Sequence, residues 1–222
     1  MKIFITAFLS LFLTPLAHAG SVTAVLAFGY SPDAPAVKIQ VPADFVAVPI
    51  SIQNGFDDPV KRAEEIEKTL LAISQQIKQH PDMSVVPGVI SLSPREQSSF
   101  SSFSSSGYDA GSSVKLYVLG TLKQNATVFA VTKRILQTVS SVSLGEKTKV
   151  NLGNTTLGLY DPEKYRGQIL GTISQTIAET KKSLGMSGTI SVEGLENPVS
   201  VMQFNDKDTV VFINYKLKLQ TK

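Results

Sequence analysis

The sequence predicts an α+β fold, an antiparallel or mixed sheet packed by about three helices. Three observations carry this. Apolar residues recur at helical spacing in three stretches: Ala63, Ile66, Leu70, Ile73 and Ile77; Val128, Val131, Ile135 and Val139; Tyr165, Ile169, Ile173, Ile177 and Leu184. Short extended segments, alternating or rich in β-branched residues, lie between them, as at 37–41, 45–52 and 114–122. After Gly185 the helical period stops, and alternation takes over to the C-terminus as a closing β-hairpin.

Met1 and Lys2 precede an apolar stretch, 3–16, and Ala17-His18-Ala19 supplies a small-x-small cleavage site. That layout predicts a removable signal peptide over 1–19, cleaved near Ala19-Gly20, and a periplasmic or extracellular protein. Residues 20–36 form a leader and connector, in which the apolar run 22–28 is a strand or a collapsed leader. The domain occupies 37–222. Pro49 suggests that the strand at 45–52 lies at an edge or a bulge. Asp57 or Asp58 caps the first helix, with Pro59 in its first turn, and the helix ends at 79–81. Glu64, Glu65 and Lys68 fall largely on its outer face.

A strand at 85–92 leads to a serine-rich loop at 98–113 that carries Phe100, Phe103 and Tyr108. Polar composition makes this a long connection, and the aromatics within it are the candidate contact for a partner. Asn125 caps the second helix. Residues 149–159 are extended, with a turn inside 151–155. Asp161 caps the third helix, Pro162 takes its first position and Glu163 adds early acidic charge. Lys181 and Lys182 suit its C-terminal dipole, and Gly185 stops it. Strands at 188–192 and 199–204 follow, then a turn at 205–208. Residues 211–219 alternate as one half-buried strand.

Composition narrows the function. Of 222 residues, 203 remain once the first nineteen are removed, enough for one sizeable core. Lys2 is the only charge lost, so the formal net charge falls from +3 to +2. The basic residues are interleaved with apolar or acidic neighbours, and a nucleic-acid partner calls instead for a basic stripe. No later stretch is apolar over the ~20 residues a membrane span needs. There is no cysteine, which removes thiolate nucleophiles and cysteine metal sites. There is no tryptophan, which weighs against a carbohydrate-stacking surface. After cleavage His80 is the one histidine left, beside Pro81 at a helix end, a structural position.

Two stretches are similar to segments of the SIMPL-domain family. Ile90-Ser91-Leu92-Ser93-Pro94-Arg95 resembles its "SLSPRY" segment. Leu157-Gly158-Leu159-Tyr160-Asp161-Pro162-Glu163-Lys164-Tyr165-Arg166 resembles the "F-x-L-S-D-P-E" entry to its last long helix. Val41-Pro42-Ala43-Asp44-Phe45-Val46-Ala47-Val48 is similar to the "P-D-x-A-x-V" opening, with Phe45-Val46 inserted. The resemblance spans roughly 40–220. Where that helix is alanine-rich in the family, Ser174, Thr176, Thr180 and Ser183 stand here. The resemblance implies export to the periplasm or envelope, a split β-α-β fold and, for some members, homo-oligomers. It implies no shared catalytic residues.

No catalytic, cofactor-binding or metal-ligating residue is singled out. Glu64-Glu65-Glu67, Asp57-Asp58 and the Asp206/Asp208 turn read as solvated faces, caps and a turn. The expectation is a non-enzymatic exported protein without a cofactor, acting through contacts with itself or another envelope protein. Two alternatives stay open. One is a carboxylate-dependent hydrolase acting on envelope polymers. The other is a carrier of a small apolar ligand.

Overall fold

The computed structural model describes residues 23–29, 35–92, 112–123, 126–185 and 189–220. The signal-peptide expectation over 1–19 and the aromatics Phe100, Phe103 and Tyr108 lie outside these residues. The fold is α+β, and its centre is β3 (Phe45–Asn54). Along this strand Val46, Val48, Ile50 and Ile52 point to one face and are almost wholly buried. β3 pairs with β5 (Ser113–Thr121) on one side, from Phe45↔Thr121 to Gln53↔Ser113. On its other side it pairs first with β7 (Thr156–Tyr160), then with β6 (Thr148–Leu152). β4 (Met83–Ser91) lies beyond β5, and the short β1 (Ala24–Leu26) beyond β7.

All these ladders are antiparallel. β3 and β4 are therefore parallel to each other, joined through α1 (Pro59–Lys78) and split by β5. β5 and β6 are likewise parallel, joined through α2 (Val128–Ser140) and split by β3. The two split β-α-β units interlock in the order β4-β5-β3-β6, the β-α-β-β-α-β arrangement. Ile66, Ile73 and Ile77 of α1 and Val131, Ile135 and Val139 of α2 share one buried cluster with the inner face of β3 and β5. Gly120 of β5 lies directly under α2: a methyl there would sit 2.5 Å from Val131 Cγ1. The helices thus cover a single face of the sheet.

A second sheet runs β2 (Ile39–Pro42), β10 (Asp208–Phe212), β9 (Ser200–Gln203). Val41, Val201 and Val211 of this sheet join the same core as Ile169 and Ile173 of α3 (Arg166–Ser183). β11 (Lys216–Gln220) pairs with β8 (Thr189–Glu193) as a separate ribbon.

Local chemistry explains most boundaries. Asp58 is extended, and its carboxylate accepts from Val60 N–H at 2.8 Å, with Pro59 inside the first turn. Gly185 takes φ +61 and ends α3. Asn205 Oδ1 accepts from the N–H groups of Lys207 and Asp208, closing the β9–β10 hairpin.

Other expectations are corrected. Pro49 is in an interior strand, not at an edge. Its carbonyl accepts from Gly153 N–H at 2.8 Å, so its missing donor faces the interruption between β6 and β7, where no ladder bond is needed. The cap of α2 is Thr127, whose Oγ1 accepts from Ala130 N–H at 3.1 Å; Asn125 lies outside the described residues. Asp161 is left-handed at φ 48, ψ 63 and caps nothing with its side chain; a 3₁₀ turn, Pro162–Tyr165, precedes α3. Leu184 is exposed. The expected single strand 211–219 is two strands in different sheets. Asn197 Nδ2 donates to Asn214 C=O at 2.7 Å, holding the bend between them.

The buried stripe of α1 is Arg62, Ile66, Thr69, Ile73 and Ile77. Arg62 is 0% exposed. Its Nη1 donates to the carbonyls of Phe56 and Asp57 at 2.7 and 2.8 Å, and its Nε to Ser112 Oγ at 3.4 Å. It ties the chain before α1 to the start of β5.

Two glycine replacements should act in opposite directions. A methyl at Gly158 would collide with the Phe45 ring and lie 2.7 Å from Val25 C=O, so Gly158→Ala should destabilise by about 1–3 kcal/mol. Gly171 sits within α3 with open space around it, so Gly171→Ala should stabilise by about 0.5–1 kcal/mol. Urea unfolding at equilibrium checks both.

Candidate functional site

Because the helices cover one face, the opposite face of the sheet carries the alternate residues of every strand. At one end these are apolar and aromatic. Phe45, Ala47 and Leu119 are buried there, packed by Leu26, Val86, Tyr117 and Tyr160. The Phe45 ring lies over Gly158 and 4.7 Å, centroid to centroid, from that of Tyr160. Burial is the main force raising the Tyr160 phenol above its usual 10.0. A hydrogen bond with Ser84 opposes it, the charge of Asp44 adds to it, and a hydrogen bond with Thr121 again opposes. Tyr160 is therefore a neutral phenol at physiological pH.

The other end of this face is polar. A depression of about 330 Å³ is lined by Pro49, Ser51, Lys115, Tyr117, Asn151 and Gly153 among others. The strand register arranges them in two neighbouring rows. Tyr117 stands opposite Pro49, whose carbonyl binds Gly153 N–H. Lys115 stands opposite Ser51, and Ser51 opposite Asn151. Lys149 lies opposite Gln53 in the row beyond.

Two of the stretches singled out in the sequence, 41–48 and 157–166, meet in space. Asp44 Oδ2 accepts from Tyr160 N–H at 2.8 Å and lies 3.8 Å from Lys164 Nζ. Arg166 donates from Nε to Glu163 Oε2 at 2.6 Å, and from Nη1 and Nη2 to the carbonyls of Leu195 and Asn197 at 2.8 Å each. Glu163 Oε1 also accepts from Val199 N–H at 2.9 Å. The pair clamps the 194–199 loop to the start of α3. The Arg166 hydrogen bond is the main reason that the Glu163 carboxyl is held below its usual 4.5, with the Val199 bond adding to it.

Several other acids have structural partners. Asp58 caps α1, and Asp208 Oδ2 accepts from Gln40 Nε2 and Asn205 Nδ2, both at 2.9 Å. Glu65 pairs with Lys68 at 3.7 Å; Glu64, Glu67 and Asp206 are exposed. Among the described residues no three His, Cys, Asp or Glu side chains gather where they could hold a metal ion. His80 occupies the end of α1, where its N–H donates to Ile77 C=O and its carbonyl accepts from Met83 N–H.

β4 is an edge strand with two unlike halves. Thr121 N–H donates to Asp82 C=O, so Ser84 and Val86 bond to β5 while Val85 and Pro87 face outward. Pro87 has no donor there, and the register shifts by one between Pro87 and Ile90. Gly88 fits this bulge because a methyl would lie 2.5 Å from Lys115 C=O. Beyond it Val89, Ile90 and Leu92 are 67, 63 and 54% exposed. Sequence reading placed these three in a strand without separating them from buried strand residues.

No protein-family model matches the chain, and no curated protein sequence matches it either. Among the described residues no helix is long and apolar enough to cross a membrane.

The clamp has a pH signature. A carboxyl whose folded pKa is depressed stabilises the fold above its ordinary pKa, and that stability is lost as pH falls through the folded value. Glu163→Gln should lower Tm by a few degrees at neutral pH, and the gap to the parent should close as pH falls below 4.5. Thermal unfolding followed by circular dichroism at both pH values checks this; a gap that stays constant would remove the ionic contribution.

Proposed function

We propose that the protein is an exported, non-enzymatic envelope protein that works through protein–protein contacts, with itself or another envelope protein. Its apolar contact surface is the far half of β4. The observation that carries this is the cluster of Val89, Ile90 and Leu92, three large apolar side chains exposed within four residues at the far end of an edge strand and just past it. Exposed apolar groups clustered in this way mark interaction sites more than singly scattered ones do. Phe100, Phe103 and Tyr108 follow in the sequence, outside the described residues. The signal-like residues 1–19 and the SIMPL-like motifs support the exported location.

Size-exclusion chromatography with light scattering tests the surface, using the purified chain and a Val89→Asp/Ile90→Lys variant. Both positions are exposed, so the variant should keep its circular dichroism spectrum. The expected result is a defined oligomer, or retention of envelope proteins from extract, that the variant loses. A chain that stays monomeric at all concentrations removes self-association. Equal retention of envelope proteins by both forms removes the surface. N-terminal sequencing of the exported chain should start at Gly20; a start at Met1 would sink the exported location.

A further inference from the structure

We infer that the polar end of the helix-free sheet face is a binding site for an acidic saccharide. The two rows of side chains supply complementary chemistry. Tyr117 and Pro49 present flat apolar surfaces side by side, suited to the C–H face of a sugar ring. Gly153 sits next to them, where a methyl would lie 2.7 Å from Pro49 Cγ, and its bare backbone keeps the depression open. The next row, Lys115, Ser51 and Asn151, holds an ammonium, a hydroxyl and an amide. Ser51 and Asn151 can each donate and accept, as sugar hydroxyls require of their partners. Asn151 Nδ2 donates to Gln53 Oε1 at 3.4 Å.

Charge selects the acid. Lys115 and Lys149 are exposed on this face and, among the described residues, make no ion pair. They lie two strands and one row apart, a diagonal of about 12 Å from ideal sheet spacings. Two lysines rooted at backbone positions that far apart can meet carboxylates carried on different sugars of one chain. The volume of about 330 Å³ lies near the lower end of small-ligand sites. Without tryptophan, stacking falls to tyrosine and proline, and charge supplies the selectivity. Lys115 lies across the β4–β5 pair from the bulge at Gly88, and the site uses none of the side chains of Val89, Ile90 or Leu92, so it does not depend on the protein-contact reading.

Isothermal titration calorimetry of the purified chain with trigalacturonate tests the site, with maltotriose as the neutral probe. Trigalacturonate should bind and maltotriose should bind at least about tenfold more weakly, since the charge–charge attraction is absent. Lys115→Gln and Asn151→Asp, both at exposed positions, should each weaken trigalacturonate about tenfold, and added salt should weaken it further. Absence of binding, equal affinity for the two sugars, or affinity unchanged in Lys115→Gln and Asn151→Asp would each overturn the proposal. Complete displacement by equimolar inorganic phosphate would also overturn it, as general anion attraction.

Discussion

The central strand β3 hydrogen-bonds to three other strands, and the rest of the molecule is arranged by how it does so. β3 meets a single uninterrupted partner, β5, along nine residues. Its other side is shared between β7 and β6, and the division falls at Pro49. A proline inside a sheet needs a place where no donor is wanted. Here the β6–β7 chain leaves the ladder at 153–155 and returns only a carbonyl-directed bond from Gly153. The depression on the helix-free face is a direct result. Missing N–H, broken partner strand and bare glycine are successive effects of one residue in the central strand.

A second constraint is how the smaller sheet is attached. The core under α3 is apolar and by itself non-directional, so polar contacts must set the geometry. Asp44 stands between β2 and β3 and takes the N–H of Tyr160. Glu163 and Arg166, just after β7, hold the loop that leads into β9. Thr156 Oγ1 adds a bond to Ala27 C=O at 2.8 Å, fastening the chain that follows β1. Residues that look like an ordinary helix start in sequence therefore join the two sheets. Such contacts are strong because they are charge-assisted and multiple, although their exposure to water limits each one.

The parts of the fold that were legible in sequence are those decided within a few residues. Asp58 before Pro59, Gly185 after a basic turn, and Asn205 in a hairpin each satisfy local backbone groups, and the chain behaves as their chemistry dictates. The misses share a different cause. Arg62 points inward because the carbonyls of Phe56 and Asp57 and the distant Ser112 receive its donors, and no periodicity announces that. The alternation through 211–219 is unbroken in sequence, yet Val211 pairs with β9 and β2 while Leu217 pairs with β8. Alternation reports which face is apolar and says nothing about which strand is the neighbour. For the same reason the rows on the helix-free face were invisible: Lys115, Ser51 and Asn151 lie far apart along the chain and become neighbours only through register.

The two surfaces follow from one requirement, that an exposed sheet must not pair indiscriminately. An edge strand offers unpaired donors and acceptors to any other strand. In β4 that offer is withdrawn where the strand is regular, by Pro87 facing outward and by the bulge at Gly88. The apolar side chains before the bulge, Met83, Val85 and Val86, pack on the cores, and the exposed ones follow it, where backbone pairing has already been disturbed. The helix-free face answers the same requirement differently. Its apolar end is largely closed by its own aromatic packing, and its open end carries ammonium, hydroxyl and amide groups. A flat apolar sheet would attract other sheets; a face whose open part is hydrated and positive attracts anions instead.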